Sequence, residues 1–212
     1  MILFFILAGF LVTAFLMVIA KRITALIRAF RMQSFFLFLF TLTMALAQKH
    51  IELFVICVSV LILKAGIIPY VLGRIVRRIN VEENLELIVN PQLSLVVALL
   101  LTYLSYIFTH RIMLFDDSIG STVFTVSVTM VCIGFFIMVS RMKALSQVLG
   151  LLVMENGIFL AAAAITGGMP FFVEIMFFFD IFVFVIIVEV FIYRVNRLFT
   201  HIDISKMNSL KG

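Results

Sequence analysis

The stretch LLVMENGIFLAAAAI, residues 151–165, places a carboxylate, an amide and a glycine inside an otherwise apolar run. On the surface helix of a soluble protein, polar side chains would recur every three or four positions. The other residues around Glu155 are Leu, Val, Met, Ile, Phe and Ala, so no polar face forms. This pattern indicates a helix surrounded by apolar material, and it raises the question of what compensates the charge.

The composition of the whole chain indicates the same surroundings. Of its 212 residues, 65% are hydrophobic and 13% are charged, and the mean hydropathy is +1.29. This is too little polar surface to cover a soluble globule. Cys57 and Cys132 lie inside apolar runs without C-x-x-C spacing, so neither a disulfide framework nor a metal site is predicted. We therefore predict an integral membrane protein.

Seven apolar segments are long enough to cross a bilayer, whose core of about 30 Å requires about 20 residues per helix. Their apolar residues form continuous runs, whereas the strands of a membrane barrel alternate apolar and polar residues. The sequence therefore predicts an all-α polytopic protein and a single membrane domain, residues 1–212. The first segment carries its positive charges after the apolar run, so we interpret it as a retained helix. The segments are residues 2–20, 24–47, 51–73, 92–109, 121–140, 144–166 and 170–193.

The distribution of lysine and arginine predicts the orientation. With the N-terminus outside and the C-terminus inside, only Lys49 and Arg111 face outward, and Lys64 remains within the membrane. This asymmetry satisfies the positive-inside rule, so the net charge of +5 is a topology signal. The thirteen inner residues are Lys21, Arg22, Arg28, Arg31, Arg74, Arg77, Arg78, Arg141, Lys143, Arg194, Arg197, Lys206 and Lys211.

A weak internal repeat is also visible. R-x-x-A-L occurs at Arg22 and Arg141, and R-x-x-R occurs at Arg74 and Arg194, with offsets of 119 and 120 residues. One interpretation is a parallel arrangement of two three-helix units, residues 1–80 and 121–212, joined by an inner segment and a linker helix, residues 81–120. The alternative is that arginines simply recur at inner helix ends.

Few ionisable residues fall within the predicted helices. Counting along the segments puts Lys64, Glu155 and Asp180 at one level, near the midplane. Each charge there costs about 2.5–3.5 kcal/mol on the insertion scale, so the groups must pair, hydrate or do work. Two interpretations stay open, an inert tie between helices and a proton relay.

Gly66 and Pro69 predict a distortion of the third helix just after Lys64, either a fixed kink or one that lets the lysine move.

Four stretches resemble the hydrogenase-4 component E family: LKAGIIP (63–69), GLLVMENG (150–157), VEIMFFFD (173–180) and the C-terminal LKG. The similarity covers most of the chain and is strongest in the second half. Members of this family are membrane subunits of formate hydrogenlyase-type and related group 4 NiFe-hydrogenase complexes, which are relatives of respiratory complex I.

The second half also resembles the K subunit of complex I and the C subunit of multisubunit cation/proton antiporters. One departure concerns the carboxylate. Matching GLLVMEN to the K-subunit pattern GLEIMIN puts Leu152 where that family has its glutamate, and Glu155 follows one turn later, about 4.5 Å along the axis. The spacing to neighbouring subunits is therefore expected to differ.

The resemblance implies a non-catalytic subunit in a prokaryotic cytoplasmic membrane, beside antiporter-like and other membrane-arm subunits. It implies a proton-relay role for Lys64, Glu155 and Asp180, with Glu174 as a member nearer the outer side. No cofactor is expected in this chain, which lacks a cysteine set for iron–sulfur or nickel ligation, so NiFe and iron–sulfur centres would belong to partners. The rival interpretation is a stand-alone seven-helix solute transporter, which expects polar residues lining a cavity in both halves.

Overall fold

A computed structural model describes residues 1–48, 51–78, 88–112 and 118–166, together with Val183 and Val185. Within these residues every regular element is a helix and there is no strand, so the predicted all-α class is confirmed for this part of the chain. The predicted seventh segment, 170–193, lies outside the described residues apart from those two valines. The elements are α1 (Ile2–Ile19), α2 (Ile23–Gln48), α3 (Ile51–Val60), a π-helix (Leu61–Ile67), α4 (Ile68–Arg78), α5 (Pro91–Ile112), α6 (Ser118–Ser140) and α7 (Ala144–Thr166).

Six helical spans in the described part are long and apolar enough to cross a membrane. The third is continuous through α3, the π-helix and α4, and it ends beyond the predicted limit of residue 73. The extension is amphipathic, since Ile75 and Val76 are buried while Arg74 and Arg77 are exposed. The outer surface of the bundle is itself apolar; α5 exposes Leu93, Val96, Leu99, Leu100, Tyr103 and Leu104. A lipid-facing surface of this kind supports a multi-pass membrane protein.

Several helix ends meet at one end of the bundle. Ile88 N–H donates to the carbonyl of Ser140 at 3.3 Å, which puts the chain just before α5 beside the end of α6. Pro91 begins α5, because proline fits the first helical position, where its missing N–H has no helical partner. Arg141, which follows α6, donates to the carbonyl of Ala20, after the end of α1. We call this the basic end, because Lys21, Arg22, Arg141 and Lys143 flank it.

Helices α6 and α7 are in near-contact along their backbones. A Cβ atom built on Gly134 would lie 2.6 Å from the backbone nitrogen of Met154. One built on Gly157 would lie 2.8 Å from the carbonyl oxygen of Ser127. Glycines at such positions allow two membrane helices to approach closely. The contact fixes the register of Glu155, which lies between these points on α7, against α6.

Candidate functional site

The π-helix carries Lys64 into the interior of the bundle. The N–H of Ile68 donates to the carbonyl of Leu63, five residues earlier, which is the hydrogen-bond pattern of a π-helix. Gly66 lies within this element, and Pro69, in the first turn of α4, has no N–H to donate to an earlier carbonyl. The distortion predicted from Gly66 and Pro69 to follow Lys64 therefore surrounds the lysine instead, beginning at Leu61. Departures of this π-helical kind inside α-helices occur frequently at functional sites.

Lys64 pairs with a carboxylate and an amide of α7. Its Nζ lies 3.2 Å from Oε1 of Glu155 and donates to Oδ1 of Asn156 at 3.1 Å. Lys64 and Asn156 are 0% exposed and Glu155 is 1% exposed. The charge that was conspicuous in the sequence thus has an ammonium partner from the third span.

The hydrogen bonds continue into two more helices. Asn156 donates through Nδ2 to Oε1 of Gln33 on α2 at 3.3 Å, and Gln33 donates through Nε2 to Sδ of Met130 on α6 at 3.2 Å. We call Gln33, Lys64, Glu155 and Asn156 the polar cluster; it joins α2, the π-helix and α7. A thioether is only a weak acceptor and has no proton to pass on. The branch through the two amides therefore ends at Met130.

Charge counting missed both amides, Gln33 and Asn156. Each is an uncharged polar residue within an apolar span, and each is completely buried. The sequence could have indicated them, because an amide inside an apolar span is costly to bury unless it has hydrogen-bond partners at its own depth. Asn156 follows Glu155 directly, so it could have been placed at the same level.

The structure brings together two of the four predicted relay residues, Lys64 and Glu155. Asp180 and Glu174 lie outside the described residues. Among the residues that are described, no group of His, Cys, Asp and Glu side chains could hold a metal ion.

The cluster can hold an ammonium in two ways. Lys64 has three N–H donors. The amide oxygen of Asn156 accepts a hydrogen bond from Nζ, and Oε1 of Glu155 lies at ion-pair distance from it. If Glu155 took up a proton, the ion pair would be lost but the amide of Asn156 could still hold the ammonium. The arrangement can therefore change its charge without leaving a buried cation entirely unsatisfied.

Arg141 forms a second buried site at the basic end. Nη1 donates to Ala20 O at 2.9 Å, and Nη2 donates to Val18 O at 2.8 Å and to Met17 O at 3.2 Å. These carbonyls belong to the end of α1, where helical donors run out. Burial lowers the pKa of Arg141 to about 10, so the guanidinium remains charged at neutral pH. Sequence counting treated Arg141 only as an inner-surface charge, whereas it is 2% exposed and satisfies a neighbouring helix end.

Comparison with known proteins gives one relative of similar length. The Uncharacterized protein Rv0085 of Mycobacterium tuberculosis is 27% identical to this chain over 206 residues, which is 96% of this chain and 94% of the relative. No protein-family model matches the sequence. No solved structure matches it either. The chain is thus similar to this mycobacterial protein across nearly the whole length of both.

Proposed function

We propose that this chain is a non-catalytic membrane subunit of a complex I-like, group 4 hydrogenase-type redox complex. Within that complex it contributes charged residues near the midplane to a proton-translocation path. The observation that carries the proposal is the buried pair of Lys64 and Glu155, with the lysine on a π-helix. The resemblance to the hydrogenase-4 component E family supplies the identity of the complex.

The energetic argument starts from the cost of the pair. Two charges near the bilayer centre cost on the order of 5–7 kcal/mol on the insertion scale before they interact. Apolar side chains of similar volume often hold buried positions at least as well as an ion pair does. A purely structural tie between the third span and α7 would not need charge. The use of two charges therefore favours a functional role.

The proposed cycle uses the two acceptors of Lys64. In the resting state Glu155 is ionised and pairs with the ammonium. When a proton reaches Glu155, the carboxyl becomes neutral, and the ammonium is held by Asn156 Oδ1, which lies 3.1 Å from Nζ in the structure. Release of the proton restores the pair. The π-helix supports this proposal because its wider turn departs from the regular α-helical ladder around Lys64.

In this proposal the path continues to Asp180 and Glu174 on a seventh membrane helix. The amide branch is a poor exit for protons because it ends at the thioether of Met130. Antiporter-like subunits would receive or supply the proton, and NiFe and iron–sulfur centres would lie in other subunits. These partners couple the redox reaction to charge movement.

The proposed topology places the N-terminus outside a prokaryotic cytoplasmic membrane and the C-terminus inside. The basic end then faces the cytoplasm, in accord with the positive-inside rule. The parallel repeat of residues 1–80 and 121–212 belongs to the same proposal. Its paired arginines have different surroundings, since Arg22 is exposed and Arg141 is buried, so a repeat would have diverged at this position.

One observation favours the solute transporter as a second candidate. Gln33 from the first half and Asn156 from the second half meet in the polar cluster, as a binding site between two halves would require. However, the four cluster residues are at most 1% exposed, and they are linked by two hydrogen bonds and by the ion pair of Lys64 and Glu155. This closed arrangement suits a proton better than a solute. A role in a multisubunit cation/proton antiporter would use the same pair.

The test uses Glu155→Gln, Asp180→Asn and Lys64→Met in the assembled complex, reconstituted in liposomes. We expect each variant to assemble and to lower the number of protons moved per turnover of the redox reaction. Ser127→Ala is the matched control, because Ser127 is also buried but its hydroxyl donates to Phe124 O of its own helix, at 2.6 Å. Wild-type coupling in both Glu155→Gln and Asp180→Asn would contradict the relay. Purification as a lone oligomer that transports a solute would contradict the subunit assignment.

A further inference from the structure

Two exposed arginines lie on one face of α2. Arg28, Arg31, Met32 and Phe35 are all exposed, and their spacing of three, four and seven residues puts them on one side of the helix. Arg31 is the ninth residue of α2, about 12 Å from its start. In the described part of the chain no side-chain hydrogen bond or ion pair involves either arginine. Their charges are therefore available to a ligand within or at the border of the hydrocarbon layer.

A groove of about 610 Å³ adjoins Arg31, between α2 and the π-helix. Among the described residues that line it, Arg31 is the one charged residue, and the wall itself is almost entirely apolar. Gly66 leaves space in this wall, since a Cβ built there would meet only the carbonyl of Leu61, at 3.6 Å. The lining is Met32, Phe35, Phe36, Leu61, Ala65 and Gly66. A ligand that fits has a long apolar part and an anionic group at one end.

We propose that this groove binds one acyl chain of an anionic phospholipid whose phosphate pairs with Arg28 and Arg31. The Cα–Cβ bonds of a helix point toward its N-terminus, which for α2 is the basic end, so both side chains start in that direction and their long stems allow the guanidinium groups to reach that surface. Arginine matches the geometry of phosphate with two parallel hydrogen bonds. Basic pockets between membrane helices on the cytoplasmic side bind anionic head groups.

The alternative occupant is a membrane helix of a partner subunit that carries a carboxylate. The direction of the side chains favours the lipid, because a carboxylate on a helix would have to meet the arginines inside the apolar layer. A lipid presents its phosphate at the layer's border, and its chain runs along the groove. The bound chain would contact the outer side of the π-helix whose inner side carries Lys64. Lipid composition could thereby affect the polar cluster.

The test measures lipid selectivity of the full-length protein, purified with any subunits that accompany it. Spin-labelled dioleoylphosphatidylglycerol and dioleoylphosphatidylcholine are compared in nanodiscs. We expect the wild type to prefer phosphatidylglycerol, and the preference to fall about fivefold for each arginine removed in Arg28→Gln and Arg31→Gln. Gly66→Leu should weaken retention of both lipids. Arg111→Gln, which removes an exposed arginine at the other end of the bundle, should leave the preference unchanged.

A photo-crosslinking amino acid in place of Met32, which is 55% exposed, distinguishes the occupants. A phospholipid-sized adduct that disappears in the double variant Arg28→Gln/Arg31→Gln supports the proposal. It would be overturned by an adduct mainly to another polypeptide. It would equally be overturned if the wild type showed no preference for phosphatidylglycerol, or if the double variant kept it.

Discussion

The buried pair of Lys64 and Glu155 permits a quantitative test by a double-mutant cycle. Loss of one partner from a buried ion pair costs about 3–5 kcal/mol, because the other charge is left uncompensated. We expect the lower end, about 3 kcal/mol, for Glu155→Gln, since Asn156 Oδ1 lies 3.1 Å from Nζ and still accepts from it. We expect a similar loss for Lys64→Met. The variants retain nearly the volume of the original side chains, so cavity effects are small.

The double variant Lys64→Met/Glu155→Gln removes both charges. We expect it to cost about as much as either single change, so the coupling free energy is about 3 kcal/mol. The assay is reversible unfolding in bicelles, which reports the free energy of unfolding for the wild type and all three variants. Lys64→Met combined with Ser127→Ala is the control cycle, with expected additivity within about 0.5 kcal/mol. Additive losses for Lys64→Met and Glu155→Gln, also within about 0.5 kcal/mol, would refute the pairing argument.

Three further expectations can be checked with the same unfolding assay. Gly134→Ala should lower the free energy of unfolding by about 1–3 kcal/mol, because its Cβ would lie 2.6 Å from backbone on α7, whereas Gly73→Ala, with nothing within 4 Å, should have no such cost. Equal effects would show that the close contact is unimportant. Arg141→Gln should lower the free energy of unfolding by about 2 kcal/mol or more, because carbonyls at the end of α1 lose their donors. Replacement of the exposed Lys21 in Lys21→Gln should leave the free energy of unfolding nearly unchanged. Matching stabilities would count against the capping role. Gln33→Leu should cost about 1–3 kcal/mol by depriving a buried amide of its acceptor, and a neutral result would contradict the bond to α7.

The spans could be predicted from the sequence because apolar length is a direct physical requirement of the bilayer. Six of the seven predicted segments correspond to helices, and the main difference is α4, which continues to Arg78. Hydropathy ends a segment where charges begin, whereas the helix continues because Ile75 and Val76 are still buried against the bundle. The local sequence alone does not report that tertiary contact.

The site was partly predictable for a related reason. Depth counting puts Lys64 and Glu155 at one level, and the structure has their charged atoms 3.2 Å apart. The depth of a residue in the membrane does not tell which way its side chain faces around the helix axis. Counting could therefore not predict the hydrogen bond between Gln33 on α2 and Asn156. The π-helix also shifts the rotation of every residue after it relative to an α-helix. The partner of Arg141 was unpredictable because carbonyls at the end of α1 leave no mark in side-chain composition.

The hydrogen bonds from Arg141 to the end of α1 have a consequence for biogenesis. Arg141 and Ala20 are 121 residues apart in the chain, so α1 leaves the ribosome long before its capping residue exists. At about 5–20 residues per second, the delay is on the order of 6–24 s. During this interval α1 and α2 are held in the membrane without this cap. The α1–α2 hairpin thus reaches its final docked state only after α6 has been synthesised, and chains that end before residue 141 are expected to be preferred substrates for membrane proteases.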